Sequence, residues 1–600
     1  MTKRDHLERQ HARIERRITY LERAANRCSW LRLTIAIITI ALSILLFNTS
    51  LLGWIALLIG GTSFAITVAL HRRYTHSLTQ FMLLREITIA QIARLTFRWG
   101  DLPPAPPHEL PVDHPYAADL DLLGERSLLH LIDTTIVRES SDRLRDWLLT
   151  PPDTLSTSRS RQALVRELVP LTTFRRRLTL NASIAAGTIK QRWTTVHIIN
   201  WLKQPGAAPP LAVLIVTALL AAANGVLIVL EQIQGTAPYW VFTLAAYAFV
   251  SVTQLRTIFA LQGQANTLLD SLRQLSTVMN QLETYHAREN TTLQALLAPF
   301  HTSAKPSKQL RRITGIVSAA SLQHNPLVWI ILNTLVPWDI FFAYLLGQLK
   351  GKLADTVPTW LDSWFTLEAS SALADFAALH PENVFPTLTD EFTWHGDGLR
   401  HPLIAAPVKN DFSFARLGDI GLITGSNMSG KSSFLRTLGV NMVMAYAGGS
   451  VSAEAFAISH FRLFTQMRVS DSIADGYSYF YAEVRRLARL LKALENTSEP
   501  PLVFLIDEIF RGTNNRERLI GSRSYIRTLA GKRGIGLIAT HDLDLTILAD
   551  TLEQVRNYHF EDHVIEGQMT FDYTLREGAS TSTNALTIMR QVGLPVEDAF

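Results

Sequence analysis

Four long apolar runs stand out along the 600-residue chain. Leu33 to Phe47 is almost purely apolar, Asn48-Thr49-Ser50 interrupts it, and Leu51 to Leu70 resumes the run. With its edges, each run approaches the roughly 20 residues that a membrane-spanning helix needs. The break between them is a few residues, so the pattern predicts a transmembrane hairpin at about 31–70. Leu211 to Leu230, a polar turn from Glu231 to Pro238, and Tyr239 to Val252 predict a second hairpin at about 211–254. Arg27, Arg32, Arg72 and Arg73 flank the first hairpin, and Lys203 and Arg256 flank the second. By the positive-inside rule the long ends of both then face the cytoplasm. Leu327 to Leu346 is apolar again but contains Pro337 and Asp339, and is read as a buried connector helix.

Between these runs the pattern is helical and polar. Met1 to Arg27 reads as a charged, solvated helix rather than a DNA-binding arm, too long and too acidic for a signal n-region. Leu102 to Tyr116 carries Pro103, Pro104, Pro106, Pro107, Pro111 and Pro115, which block helix and sheet and mark a linker. Leu268, Leu272, Leu275, Met279 and Leu282 give a helix one narrow apolar seam. Phe480, Val484, Leu487, Leu491 and Leu494 lie at helical spacing, with Arg485, Arg486, Arg489 and Lys492 on faces read as solvated. Towards the C-terminus, Ile420 to Ile423, Pro501 to Ile506 and Gly534 to Ala539 are short apolar runs of the kind that form buried strands. The fold class is therefore multidomain α and α/β. Residues 1–100 hold the N-terminal helix and first hairpin, 101–118 the linker, 119–385 a helical core with the second hairpin inserted, and 386–600 an α/β domain.

Composition changes this picture little. A hydrophobic share of 47% and a mean hydropathy of +0.12 are high for a soluble enzyme, and the excess is local to the apolar runs. The single cysteine, Cys28, excludes an intrachain disulfide framework and fits a reducing compartment. A net charge of +5 suits anionic lipid or nucleic acid without selecting either.

The candidate chemistry lies in the last third. Gly425-Ser426-Asn427-Met428-Ser429-Gly430-Lys431-Ser432 follows a strand-like run and precedes a helical pattern from Ser433. Glycines let backbone N–H groups curl around phosphate oxygens, and a following helix adds its positive N-terminal dipole. Lys431 suits the β/γ-phosphates of ATP, and Ser432 suits Mg²⁺. Asp507 and Glu508 end the second strand run. There Asp507 can hold Mg²⁺ through water, and Glu508 can orient the attacking water as a base. Thr540-His541 tips the third run, where His541 can sense the γ-phosphate.

With these residues in view, the chain resembles the MutS family of ATPases. Thr424 to Ser433 is similar to that family's TGPNMGGKST loop, including the Asn427-Met428 pair, with Ser426 in place of a usual proline. Asp507-Glu508-Ile509-Phe510-Arg511-Gly512-Thr513 resembles its DE-x-x-RGT segment, and Ala539-Thr540-His541 its ATH. Ser470-Asp471-Ser472, Gly476 to Phe480 and Glu483 resemble SDD…GxSTF…E, with Tyr479 in place of a threonine. Arg400-His401-Pro402-Leu403 and Asn410-Asp411 resemble the family's approach to the loop, and Leu122 to Pro152 more loosely resembles the start of its core. The resemblance implies an ABC-like homodimer through the ATPase domain, with Ser478 reaching the γ-phosphate held by the opposite subunit. It also implies lever helices that end in a clamp over DNA, and the second membrane hairpin falls where that tip belongs.

The expected function is a membrane-anchored, Mg²⁺-dependent ATPase acting as a dimeric switch, multi-pass in the cell membrane with core and ATPase domain cytoplasmic. The alternatives are a membrane-tethered DNA-binding repair or recombination protein and, further off, half of an ABC-type transporter, which the missing LSGGQ signature disfavours. The Phe-x-Glu wedge of the family's mismatch reader does not occur before the core, since Phe47, Phe64, Phe81 and Phe97 all lack it. DNA is a candidate partner, but this absence speaks against mismatch reading.

Overall fold

The computed structural model describes the chain except residues 1, 47–49, 110, 112, 205–207, 288–290, 303–304, 321–325, 427, 469–478, 512, 566–567 and 581–600. It is mostly helical, with sheets confined to the C-terminal region. Two compact units are each assembled from three segments. The first comprises Met1–Ala90, Thr135–Ser140 and Thr173–Glu368, the second Gln91–Thr134, Ser141–Thr172 and Ala369–Phe600.

In the first unit, helices Lys3–Leu46 and Ser50–Thr96 form an antiparallel pair. Leu7, Ile14, Ile18, Leu21 and Ala25 are buried in its proximal half, as are Leu83 and Ile87 of the returning helix. The distal half closes tightly, because a Cβ on Gly60 would come within 2.1 Å of the Thr39 hydroxyl. Yet its outer surface is apolar, with Ile44 72% and Leu58 70% exposed. Among the described residues, Lys3–Leu46, Leu52–Thr96 and Leu211–Gln234 are long and apolar enough to cross a membrane. Trp240–Thr284, which carries the fourth run, is not among them: Gln254 and Arg256 follow Val252 too soon. It is one continuous helix of 45 residues. Near its start it packs on Leu211–Gln234 through a Thr243–Asn224 hydrogen bond and a Trp240 indole that donates to Glu231 at 2.5 Å. Further along, Leu272, Leu275, Met279 and Leu282 are buried, as the seam predicts, against Leu310, Ile313 and Val317 of helix Pro306–Ala320.

The connector expected at 327–346 differs. It is two helices, Pro326–Leu335 and Trp338–Leu379, bent by 84° between Leu335 and Trp338, and Ile330, Ile331, Leu335 and Val336 are exposed rather than buried. Pro337 has no N–H to continue the helical ladder and its ring clashes with the preceding turn, which accounts for the break.

Among the described residues the second unit is built on ten strands, β1 Thr387–Leu388, β2 Trp394–Leu399, β3 Asn410–Ser413, β4 Ile420–Thr424, β5 Ala455–Ile458, β6 Arg462–Gln466, β7 Leu502–Asp507, β8 Gly534–Ala539, β9 Val555–Ile565 and β10 Gln568–Glu577. A six-stranded sheet runs β10-β9-β4-β8-β7-β6, parallel except for the β9–β10 hairpin, and a smaller sheet runs β1-β5-β2-β3. β4 and β8 are buried at every position, as parallel strands covered on both faces must be. Helix Tyr479–Glu495 lays Leu487, Leu490 and Leu494 on this core. Its basic face is not wholly solvated. Arg486 pairs with the fully buried Asp119 at 3.0 Å, and Asp119 also accepts from the Thr465 hydroxyl at 2.7 Å and the Arg468 amide at 2.8 Å.

Candidate functional site

Parallel strands end together, and β4, β7 and β8 are neighbours in register, with Ile423 beside Ala539 and Asp507 beside Ala539. Three segments far apart in sequence therefore meet at the C-terminal ends of these interior strands. The loop after β4 turns through Gly425 (φ 147°) and Gly430 (φ 109°), conformations that a side chain would strain. A Cβ at Gly425 would also meet the Phe560 carbonyl and the Ser429 hydroxyl at 2.8 Å each. Helix Lys431–Ala447 starts directly from this loop.

At its first turn, Lys431 folds back and donates to the carbonyls of Gly425 (2.8 Å) and Ser426 (2.7 Å). Burial pushes its ammonium down to about 8, against the pull of Asp507 and Glu508. The Ser432 hydroxyl donates to Asp507 at 2.7 Å. His541 stands between Glu508, 3.0 Å from Nε2, and the Gly425 carbonyl, 3.0 Å from Nδ1, with the Lys431 ammonium 3.5 Å away. Burial and that ammonium hold the imidazole below its ordinary pKa while Glu508 pulls upward. Ser429 is buried and its hydroxyl has no hydrogen-bond partner among the described residues, Ser433 is exposed at the mouth, and Met428 projects at φ 71°, 83% exposed. Asn427 and Ser478 lie outside the described residues.

Two residues quoted only as parts of motifs do more than the pattern suggested. Arg511 spans both acids, at 3.0 Å from Asp507 and 2.9 Å from Glu508. Glu483, 1% exposed and with its pKa raised by burial, accepts from the Phe510 amide at 2.6 Å. That bond holds a turn in which Glu508 (φ 63°) and Phe510 (φ 59°) both sit in left-handed backbone, uncommon for non-glycine residues. A cavity of about 290 Å³, lined by Ile404, Val408, Gly430, Ser433, Phe434 and Tyr573 among others, opens beside the loop. It was missed because its residues come from separate loops and strands with no common motif.

A glycine cradle, a buried cation, a paired hydroxyl and carboxylate, and a second carboxylate against a histidine fit a nucleoside triphosphate with Mg²⁺. Among the described residues no cluster of three or more His, Cys, Asp or Glu could hold a metal unaided. A Mg²⁺ here would depend on phosphate oxygens and water, as this ion usually does.

The family model for MutS domain V matches residues 421–598. The DNA mismatch repair protein MutS of Natronomonas pharaonis is 33% identical over 235 residues, 38% of this chain and 27% of that protein. DNA mismatch repair protein MutS 2 of Halobacterium salinarum is 34% identical over 237 residues, again 38% and 27%. The MutS of Roseiflexus sp. is 32% identical over 240 residues, 38% and 22%. The chain thus covers about a quarter of the length of these relatives. Over residues 421–598, then, the chain is similar to MutS domain V, and its likeness to these mismatch repair proteins spans 38% of the chain.

Proposed function

We propose that the chain is a membrane-anchored, MutS-like ATPase whose homodimer works as an ATP-driven conformational switch. The observation that carries this reading is the meeting of Lys431, Ser432, Asp507, Glu508 and His541 at one end of one parallel sheet. In this reading Lys431 and the loop amides hold the β/γ-phosphates, and the adjoining cavity takes the base. Ser432 and Asp507 would hold Mg²⁺, which when bound neutralises charge on the phosphates. Glu508 orients the attacking water, and His541, beside both Glu508 and Lys431, links that carboxylate to the phosphate end. Ser478 completes the site across the dimer.

Anchoring is supported by three helices of sufficient length and apolarity whose apolar windows are at most 17% buried, and in this reading the apolar start of Trp240–Thr284, packed on Leu211–Gln234, completes the second hairpin as a fourth crossing. The flanking arginines favour a cytoplasmic core and ATPase domain in a multi-pass cell-membrane protein. Mg²⁺-dependent ATP hydrolysis by the detergent-purified protein, lost in Lys431→Ala together with ATP binding, tests the enzymatic part. Failure of the parental protein to bind ATP would refute it.

A second reading, a membrane-tethered DNA-binding repair protein, is favoured by the identity to DNA mismatch repair proteins. Salt-titrated binding to homoduplex, mismatched and branched DNA decides between the two. Phosphate-driven affinity falls steeply with salt, whereas the first reading expects no specific binding at physiological salt.

A further inference from the structure

We infer that the bent element Pro326–Leu335 with the start of Trp338–Leu379 is a third membrane element, one that sits in the cytoplasmic leaflet beside the second hairpin without crossing. The inference rests on the proposed membrane anchoring. Its exposed face is apolar, with Ile330 54%, Ile331 57%, Leu335 66%, Val336 45% and Phe341 43% exposed. That face continues an apolar surface already assigned to lipid. The first arm packs on Leu211–Gln234, and Tyr247, within the fourth apolar run, donates its hydroxyl to the Asn333 carbonyl at 2.6 Å and reaches the Val336 carbonyl at 3.3 Å. The occupant argued for is therefore the acyl chains of the same bilayer.

Geometry excludes a full crossing. The first arm has 10 residues, about 15 Å at the helical rise, half of the roughly 30 Å hydrocarbon core. A bend of 84° prevents the second arm from adding its length along the same axis. Non-helical backbone at membrane depth is tolerated where protein groups satisfy it, and here they do. Tyr247 serves the carbonyls, the Asn333 side chain accepts from the Asp339 amide at 3.2 Å, and the Trp329 indole donates to the Asp339 carboxylate at 2.7 Å. Asp339 is the single Asp, Glu, Lys or Arg between Pro326 and Leu346 and is 3% exposed. Cations lie on both flanks, Arg311 and Arg312 before and Lys350 and Lys352 after, as expected if both ends stay on the cytoplasmic side. The Trp338 indole donates to the Ala319 carbonyl, which keeps the bend close to the end of the helix bearing those arginines.

The test is labelling with a membrane-impermeant maleimide in full-length Cys28→Ser protein, in right-side-out and inside-out vesicles. Single cysteines replace Ile331, Lys308, Lys352 and, on the second hairpin, Leu219. The expected result is protection of Ile331→Cys and Leu219→Cys from both sides, with Lys308→Cys and Lys352→Cys labelled only from the cytoplasmic face. Labelling of Lys352→Cys from the outer face would make the element a full span and overturn the inference. Labelling of Ile331→Cys as fast as Lys352→Cys, with Leu219→Cys protected, would put the element in water and overturn it while leaving the anchor intact. Labelling of Leu219→Cys as well would refute the anchoring itself.

Discussion

Lys431 shows how burial and charge work against each other in the proposed site. Its ammonium, brought down from 10.5 to about 8, is protonated at neutral pH but loses its proton well before a free lysine would. As pH rises from about 8, the folded protein has shed a proton that the unfolded chain still holds, so the free protein is stabilised. Triphosphate binding needs the charge and goes the other way. ATP affinity should fall by about tenfold per pH unit above the pKa, following proton linkage, and Lys431→Arg should flatten the profile because guanidinium stays charged. Constant affinity up to pH 9.5 in the parental protein would contradict this role. Glu508→Gln should bind ATP with Ser432 and Asp507 intact yet hydrolyse it slowly, and hydrolysis at the parental rate would remove Glu508 as the base. Glu483 is a positioning residue. Glu483→Ala leaves the Phe510 amide without its acceptor, a cost of about 1–3 kcal/mol for a buried donor. It should lower kcat while ATP affinity holds, and Glu483→Gln, which keeps an acceptor oxygen, should restore turnover. These site residues were legible because P-loop, strand-end acids and ATH motif each carry their own chemistry. The grip of Glu483 was not, since a lone glutamate on a helix pattern says nothing of the amide it will meet 27 positions away.

At the scale of elements, periodicity served where one face decides. The seam through Leu268, Leu272, Leu275, Met279 and Leu282 predicted a buried stripe; the last four are buried, and the Leu268 side chain lies outside the described residues. Leu275→Ala should therefore destabilise the first unit by about 2–5 kcal/mol, the range for such core truncations, read as a lower midpoint in thermal or denaturant unfolding. An unchanged midpoint would mean that this packing is not maintained in solution. Hydropathy alone misread 327–346, because an apolar run with few charges looks the same in a buried connector as in an exposed bent element. What separates them is the local effect of Pro337 and the partners of Asp339, and Tyr247 comes from a helix 80 or more positions earlier. The basic helix Tyr479–Glu495 was misread for a similar reason. Arg486 finds Asp119 across 367 positions, and no helical pattern encodes that pairing.

At the scale of the whole molecule, the proposal joins a nucleotide site to membrane helices. A mixed dimer tests the composite site. Lys431→Ala in one subunit and Ser478→Arg in the other concentrate both defects in one of two sites, so the mixed dimer should retain hydrolysis that either homodimeric mutant lacks. Full activity of the Ser478→Arg homodimer would remove its role in trans. The central claim is that nucleotide state is transmitted to the membrane helices, and the most direct test is a distance measurement. Spin labels at Gln234→Cys, at the turn of the second hairpin, in dimers of Cys28→Ser, Glu508→Gln protein in lipid would report the spacing of the two hairpins by pulsed electron resonance. The account predicts one distribution without nucleotide and a clearly displaced one with ATP and Mg²⁺. Identical distributions in the two states, with ATP shown to be bound, would contradict it.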